Sequence, residues 1–368
     1  MTDEPINSPY LRENFRRQPF WNPTKILPHE MGKEIHRMDL NECPFPPSDK
    51  VVQAIAEAAS GLNRYPDGTC PELTARLSEK LDVGEDRICY GSGSTQLLTC
   101  IAEISVGPGE NLVAPEVIWR RFSAVFQATA ADVTAVPNLP DGAIDVDGLL
   151  AAVGNNTKMV LALSPNNPTG LMLTEAQIRK LSDAVPENVL LFLDEAYYEF
   201  AVYAGGADGL QILKDRRGPW VVTRTFSKAY ALAGLRLGYA ICSSEEIANA
   251  LRLVSSTFNV NGIAEAAVLA ALDDPEYTQM ILAENEREMS RIKDACRELG
   301  LTYMDSATNF ISIDVDRPGT EVVAKMRARG IRITTPGYDG VPNHIRVSMG
   351  QAEDTDAFLA ALREILAD

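Results

Sequence analysis

The chain has 368 residues, 45% of them hydrophobic, with 34 basic and 51 acidic side chains and a formal net charge of −17. That length suits two domains, or one large domain with an appendage, and the apolar content suffices for sizeable cores. The acidic balance disfavours nucleic acid and anionic membranes as partners, and no apolar run reaches the roughly 20 residues of a membrane helix.

Met1 to Tyr10 is polar, without a basic start and an apolar core, so no signal peptide is expected. The cysteines at 43, 70, 89, 100, 242 and 296 form no CxxC pair and read as reduced thiols of a cytoplasmic protein. His29, His36 and His344 have no metal-ligand spacing, so no metal is expected.

Residues 1–40 are rich in Pro, Asn and Arg, with Phe15, Phe20 and Trp21 among them, and read as an extended arm that packs on something. Apolar Val52, Ile55, Ala56 and Ala59 predict a helix over 49–62 with Gly61 as a stop. A second helix is expected over 71–81, with Pro71 in its first turn. Strand and helix signals then alternate: strand 87–90 and helix 94–104, strand 111–114 and helix 118–128, strand 158–163 and helix 174–181 capped by Thr174, then strands 189–193 and 220–223. Continuous apolar strands separated by helices predict a mostly parallel sheet buried on both faces.

After about residue 255 the pattern changes to a long helix, 275–299, then strand 310–315, helix 320–329, strands 331–335 and 344–349, and helix 355–366. This reads as a smaller α/β unit, with the long helix bridging to the first. The expected division is an arm at 1–40, a large domain at 41–255 and a small C-terminal domain at 256–368.

Several motifs fall at the ends of these strands. Gly91-Ser92-Gly93-Ser94-Thr95 opens a helix, where glycines allow close backbone approach and the N-terminus favours an anion. A plain glycine turn explains it equally well, and it lacks the Gly-Lys-Ser/Thr ending of a P-loop. Trp119 is placed to stack on a flat ring, although tryptophan more often packs in a core. Ser164-Pro165-Asn166-Asn167-Pro168-Thr169-Gly170 is a tight turn by composition. It also offers Asn167 as an amide donor, or resembles the Asn-Pro-Pro-Tyr-like loop of an amino-methyltransferase with Thr169 in place of the aromatic residue.

Asp194 ends an apolar run, where a carboxylate is costly to bury unless it is paired. A protonated pyridine nitrogen would pair it, with Tyr197 reaching the ring's phenolic oxygen. Helix capping and magnesium binding at Asp194-Glu195 are the other readings.

Thr225-Phe226-Ser227-Lys228 leaves the last strand into the apolar, glycine-bearing stretch 231–239, which carries Arg236. A lysine in such company loses solvation, its pKa falls and its neutral amine becomes free for a Schiff base. Thr225, Ser227 and Arg236 suit a phosphate. Amine and phosphate clamp together suggest pyridoxal 5′-phosphate. Alone, Lys228 reads as a surface lysine. What this leaves unexplained is an ordered set of cup, aromatic ring, amide, carboxylate, lysine and arginine at the strand ends of one sheet, where open α/β folds bind ligands.

On these motifs, with Leu40-Asn41-Glu42-Cys43-Pro44, Arg64-Tyr65-Pro66-Asp67-Gly68 and Ile345-Arg346-Val347-Ser348, the chain resembles the fold-type I, class I/II pyridoxal-phosphate aminotransferases from about residue 38 onward. Within them it is most similar to the histidinol-phosphate aminotransferase branch. The resemblance implies an aspartate aminotransferase-like α/β fold, with a three-layer cofactor domain and a smaller C-terminal domain. It implies Lys228 as Schiff-base lysine and proton shuttle, Asp194 on the pyridine nitrogen, Asn167 and Tyr197 on the ring oxygen, and Trp119 stacked on the ring. Ser94, Thr95, Thr225, Ser227 and Arg236 would hold the phosphate. Asn41 and Arg346 would contact the substrate, Arg346 at its acidic group. Tyr65 would reach the phosphate in the neighbouring subunit of a homodimer.

The chain departs from the branch in places. Thr334 stands where an arginine usually helps hold the substrate phosphate, and Arg332 lies two residues earlier on the same strand face. Cys43 replaces an asparagine, and Thr95-Gln96 replaces Asp-Glu. Arg120 and Arg121, after Trp119, offer an alternative anion contact. The expected reaction is ping-pong transfer of an amino group from histidinol phosphate, an aromatic amino acid or another small amine to 2-oxoglutarate. A pyridoxal-phosphate lyase or decarboxylase on the same fold, or a SAM-dependent methyltransferase, are the alternatives.

Overall fold

The computed structural model describes residues 9–16, 35–338 and 340–367. Phe20 and Trp21 of the expected arm lie outside them. The strands in chain order are β1 His36–Arg37, β2 Ile88–Ser92, β3 Asn111–Pro115, β4 Asp132–Val136, β5 Thr157–Leu163, β6 Leu190–Asp194, β7 Trp220–Thr225, β8 Leu237–Cys242, β9 Thr302–Tyr303, β10 Phe310–Asp314, β11 Ile331–Arg332 and β12 His344–Ser348. Seven of them form one sheet in the order β2-β8-β7-β6-β5-β3-β4.

The expected mostly parallel sheet is present. Strands β3, β6 and β7 consist almost wholly of buried residues, because helices cover both faces. Two of its strands escaped the sequence reading. β4 is an edge strand with four of its five residues exposed, and its short run Asp132–Val136 has too few apolar residues to mark a buried face. β8 begins inside the stretch 231–239, which reads only as apolar and glycine-bearing, yet it pairs antiparallel with both β7 and β2. The connection 226–236 is too short for the crossover that a parallel neighbour needs. Gly238 on β8 lets the helix Ser94–Ser105 come close: a Cβ there would lie 2.5 Å from the Ser94 nitrogen.

Most helices fall where the periodicity puts them. Pro71–Leu81 has Pro71 at its start, and Glu175–Ala184 is closed by a reciprocal capping box between Thr174 and Gln177. The helix expected from residue 118 begins at Arg120, with Trp119 as its N-cap. Part of the expected extended arm is instead one helical turn, Glu13–Arg16, from which the Asn14 side chain donates to the Gln127 carbonyl at 2.5 Å.

A second core gathers Met289, Ile292, Ile311, Val322, Val347 and Phe358, and it also takes Met38. Met38 arrives there because β1 pairs in parallel with β11. The long helix Pro275–Leu299 joins the two regions. Its Leu282 packs with Tyr197, Phe200, Ala229 and Phe310, while Met289, Ile292, Ala295 and Cys296 enter the second core.

Behind the sheet's active edge lies a buried ion cluster. Arg224 on β7 donates to Glu195 (2.8 Å) and to Asp208 (2.8 Å), and its guanidinium lies 3.3 Å from the centre of the Tyr198 ring. The second oxygen of Glu195 accepts from the Gly209 amide at 3.0 Å. Removing one member would strand charges that burial already penalises. Arg224→Ala is therefore expected to lose about 3–5 kcal/mol of stability, seen as a lower urea midpoint; an unchanged midpoint would contradict this.

Candidate active site

The ends of β3, β5, β6 and β7, the 226–236 connection, residues 40–41 and β12 enclose a cavity of 320 Å³. Ser94, Thr95, Trp119, Asn167, Asp194, Tyr197, Thr225, Ser227, Lys228, Arg236, Asn41 and Arg346 all line it. Tyr65 does not: it is 82% exposed and stacks on Phe258 with ring centres 4.6 Å apart.

Lys228 hangs from the antiparallel β7–β8 connection. Its Nζ donates to the Asn41 carbonyl at 2.8 Å and sits 5.7 Å from the centre of the Tyr197 ring. Burial, reinforced by the positive charges of Arg346 and Arg236 against the opposing pull of Glu42, lowers its pKa to about 8. Asp194 at the end of β6 accepts from the Thr223 hydroxyl at 2.7 Å, its register partner on β7. Burial raises its carboxyl to about 6, opposed by that hydrogen bond and aided by Glu195. No cation is bonded to it among the described residues, so the site has room for a positive partner there.

A polar chain runs across the cavity wall. Arg346 Nη1 donates to Asn167 Oδ1 at 2.7 Å, which turns the Asn167 amide NH2 toward the Tyr197 hydroxyl at 3.3 Å. Asn41 is oriented in the same way: its backbone N–H donates to the Ser348 hydroxyl, whose proton goes to Asn41 Oδ1. Its NH2 then donates to Tyr197 at 2.9 Å. Tyr197 thus accepts twice and keeps its own proton to give. Burial comes first in raising its pKa, so the phenol stays protonated.

The hydroxyl and arginine cluster is built for an anion. The Ser227 backbone N–H donates to the Thr225 hydroxyl at 3.1 Å, and the Thr225 hydroxyl donates to that of Ser227 at 3.0 Å. Arg236 reaches Ser227 at 3.5 Å. A side chain at Gly93 (φ +73°) would come within 2.2 Å of Arg236 Nη2, so glycine keeps the cup open. No side chain caps the helix Ser94–Ser105, which leaves its first N–H groups for an incoming acceptor. Trp119 is 39% exposed over the cavity, edge-on to Phe122 with ring centres 6.3 Å apart.

Residues 33–362 match the model of the family described as aminotransferase class I and II. The chain belongs to this family. It is 37% identical over 339 residues to histidinol-phosphate aminotransferase 2 of Methylococcus capsulatus, covering 91% of each chain. It is 34% identical to histidinol-phosphate aminotransferase of Akkermansia muciniphila over the full length of both. Among solved structures it superposes with a TM-score of 0.90 on histidinol-phosphate aminotransferase from Sinorhizobium meliloti in complex with pyridoxal 5′-phosphate, at 30% identity and 98% of both chains. A Thermus thermophilus aspartate aminotransferase shares the fold at a TM-score of 0.80 and 22% identity, over 94% of this chain and 99% of that one.

Arg332 does not replace the arginine missing at Thr334, because it pairs with Asp39 Oδ2 at 3.4 Å and does not line the cavity. Thr223 and Ser348, which orient Asp194 and Asn41, went unread. Thr223 was readable: it alternates with Thr225 on one face of β7.

With a pKa of about 8 against 10.5 for an ordinary lysine, Lys228 is neutral across most of the range from 8 to 10.5. The rate at which the protein captures a small aromatic aldehyde at Lys228 should therefore rise with pH and level off above about 8. A rate still climbing at about pH 10 would contradict the lowered pKa.

Proposed function

We propose that this family member is a pyridoxal-phosphate-dependent aminotransferase of histidinol-phosphate aminotransferase type, working by a ping-pong exchange with 2-oxoglutarate. One observation carries the reading: a single cavity joins a lysine of lowered pKa, a half-buried carboxylate with no cation partner among the described residues, and an anion cup. The open cup at Gly93, the uncapped helix and the Asp194 carboxylate, bonded to Thr223 alone among the described residues, fit a pyridoxal phosphate.

Ser94, Thr95, Thr225, Ser227 and Arg236 would hold the phosphate. Trp119 would cover one ring face, Asp194 would keep the ring nitrogen protonated, and Tyr197, oriented by Asn41 and Asn167, would give its proton to the ring oxygen. When bound, the cofactor supplies an aldehyde and a ring that accepts an electron pair. Lys228 Nζ would hold the cofactor at its carbonyl and, when free, would carry a proton off the donor α-carbon. Arg346 Nε is buried with no hydrogen-bond partner among the described residues and would turn with its guanidinium to the donor's acidic group. Burial lowers the pKa of Arg346, and Tyr197 and Asp39 pull the other way; an incoming anion would add to that pull.

The active unit we propose is a homodimer. Tyr65 lies outside its own cavity, and Leu62, Tyr65, Leu253 and Phe258 are exposed, which supports Tyr65 reaching the neighbouring subunit's phosphate site. Among the described residues all six cysteines are free thiols, which suits a reducing cytoplasm. No described helix is long and apolar enough to cross a membrane.

Incubation with an amino donor, pyridoxal phosphate and 2-oxoglutarate should yield one oxo product per glutamate formed. Lys228→Ala should lower turnover by at least about 10²–10⁴. Decarboxylated or eliminated product without glutamate would instead support the lyase reading, and near-normal turnover of the variant would refute the role of Lys228.

A further inference from the structure

A second cleft, of 450 Å³, lies among the short helix Tyr198–Tyr203, the end of the helix Pro71–Leu81, the start of the helix Pro275–Leu299 and Tyr230. That volume suits a small molecule. The cleft shares no lining residue with the active-site cavity, although Tyr198 directly follows Tyr197 and Tyr230 stands two residues after Lys228. Its walls are mostly apolar and aromatic, with Val202, Tyr203, Tyr230, Leu272 and Leu282 among them, and Val202 and Tyr203 are exposed.

Two opposite charges border this cleft and stay apart. Glu199, half-buried on the helix Tyr198–Tyr203, and Lys80, exposed in the last turn of Pro71–Leu81, both line it. Neither forms an ion pair or a hydrogen bond to another residue among the described residues. Burial raises the Glu199 carboxyl to about 7; its own backbone amide, Arg224 and Lys80 oppose the rise, and Glu195 adds to it. Arg224 is already committed to Glu195 and Asp208. Lys80 therefore attracts Glu199 from a distance without neutralising it. A simple anion entering the cleft would be repelled by Glu199, and a simple cation by Lys80. A ligand carrying both charges on one small frame is attracted by both. The rings and aliphatic walls suit an apolar body attached to that frame.

We propose that this cleft is a second small-molecule site, which takes a zwitterionic amino acid with an apolar or aromatic side chain. Its ammonium meets Glu199, its carboxylate meets Lys80 and its side chain lies against Tyr203, Tyr230 and Leu282. The site stands whatever reaction the other cavity performs, because the two share no lining residue.

The probe is N,N-dimethyl-L-phenylalanine, a zwitterion that keeps one N–H donor and whose tertiary amine forms no Schiff base. Calorimetry on the cofactor-loaded protein should show saturable binding that survives Arg346→Gln. Lys80→Gln and Glu199→Gln should each weaken it roughly tenfold or more. Lys80 is exposed, so its variant keeps the test decisive even if Glu199→Gln fails to fold. The probe's methyl ester, which lacks the carboxylate, and 3-phenylpropionate, which lacks the ammonium, should each bind about tenfold more weakly or worse. Equal affinity for all three compounds would reduce the cleft to an apolar groove and overturn the proposal. Binding lost with Arg346→Gln but kept with Lys80→Gln would place the probe in the active site and overturn it too, as would no binding at about 10 mM.

Discussion

The site depends on keeping one amine out of water. Among the described residues, the cavity around Lys228 is lined by two other bases, Arg236 and Arg346, and by one acid, Asp194. A protonated lysine is therefore disfavoured by burial and by like charge together, and its pKa falls to about 8. The backbone makes this environment unavoidable. Lys228 and Arg236 share the tight connection between antiparallel β7 and β8, closed by the Phe226 amide bonding to the Leu237 carbonyl at 3.2 Å. Reversing β8 fixes the lysine over the end of β7, and Gly238 lets the helix behind the cup approach.

The same cavity ties the two cores together. Arg346 and Ser348 come from β12, Asn167 and Tyr197 from loops of the seven-stranded sheet, and Asn41 from the segment that follows β1. Their hydrogen bonds form one chain from Asp39 through Arg346, Asn167 and Tyr197 to Asn41 and Ser348. Each link fixes the next amide's orientation. The Tyr197 proton is thereby aimed by residues from both units, and an anion arriving at Arg346 acts on the hydrogen bonds that set it.

Much of this was legible in sequence because function and fold use the same signals. Apolar runs ending in Asp194 and in Thr225-Phe226-Ser227-Lys228 mark both the strands and the residues at their ends. The long helix is legible to the residue, since Pro275 opens it and Gly300 in the left-handed region closes it. The misses have physical causes. The edge strand β4 has no buried face to create a pattern, and β8 hides behind Gly238. The fate of Arg332 depended on Asp39, a contact across nearly three hundred residues that no local spacing reveals. Tyr65 lies outside its own cavity, so the role proposed for it requires a second subunit that local spacing cannot show.

The central claim is that Lys228, among all lysines of the chain, is the residue that takes the cofactor's carbonyl. Borohydride reduction of the pyridoxal-phosphate-loaded protein, followed by digestion and mass spectrometry, tests it directly. The account predicts one stoichiometric pyridoxyl label on Lys228. A label on any other lysine, or none after the cofactor has bound, would contradict it.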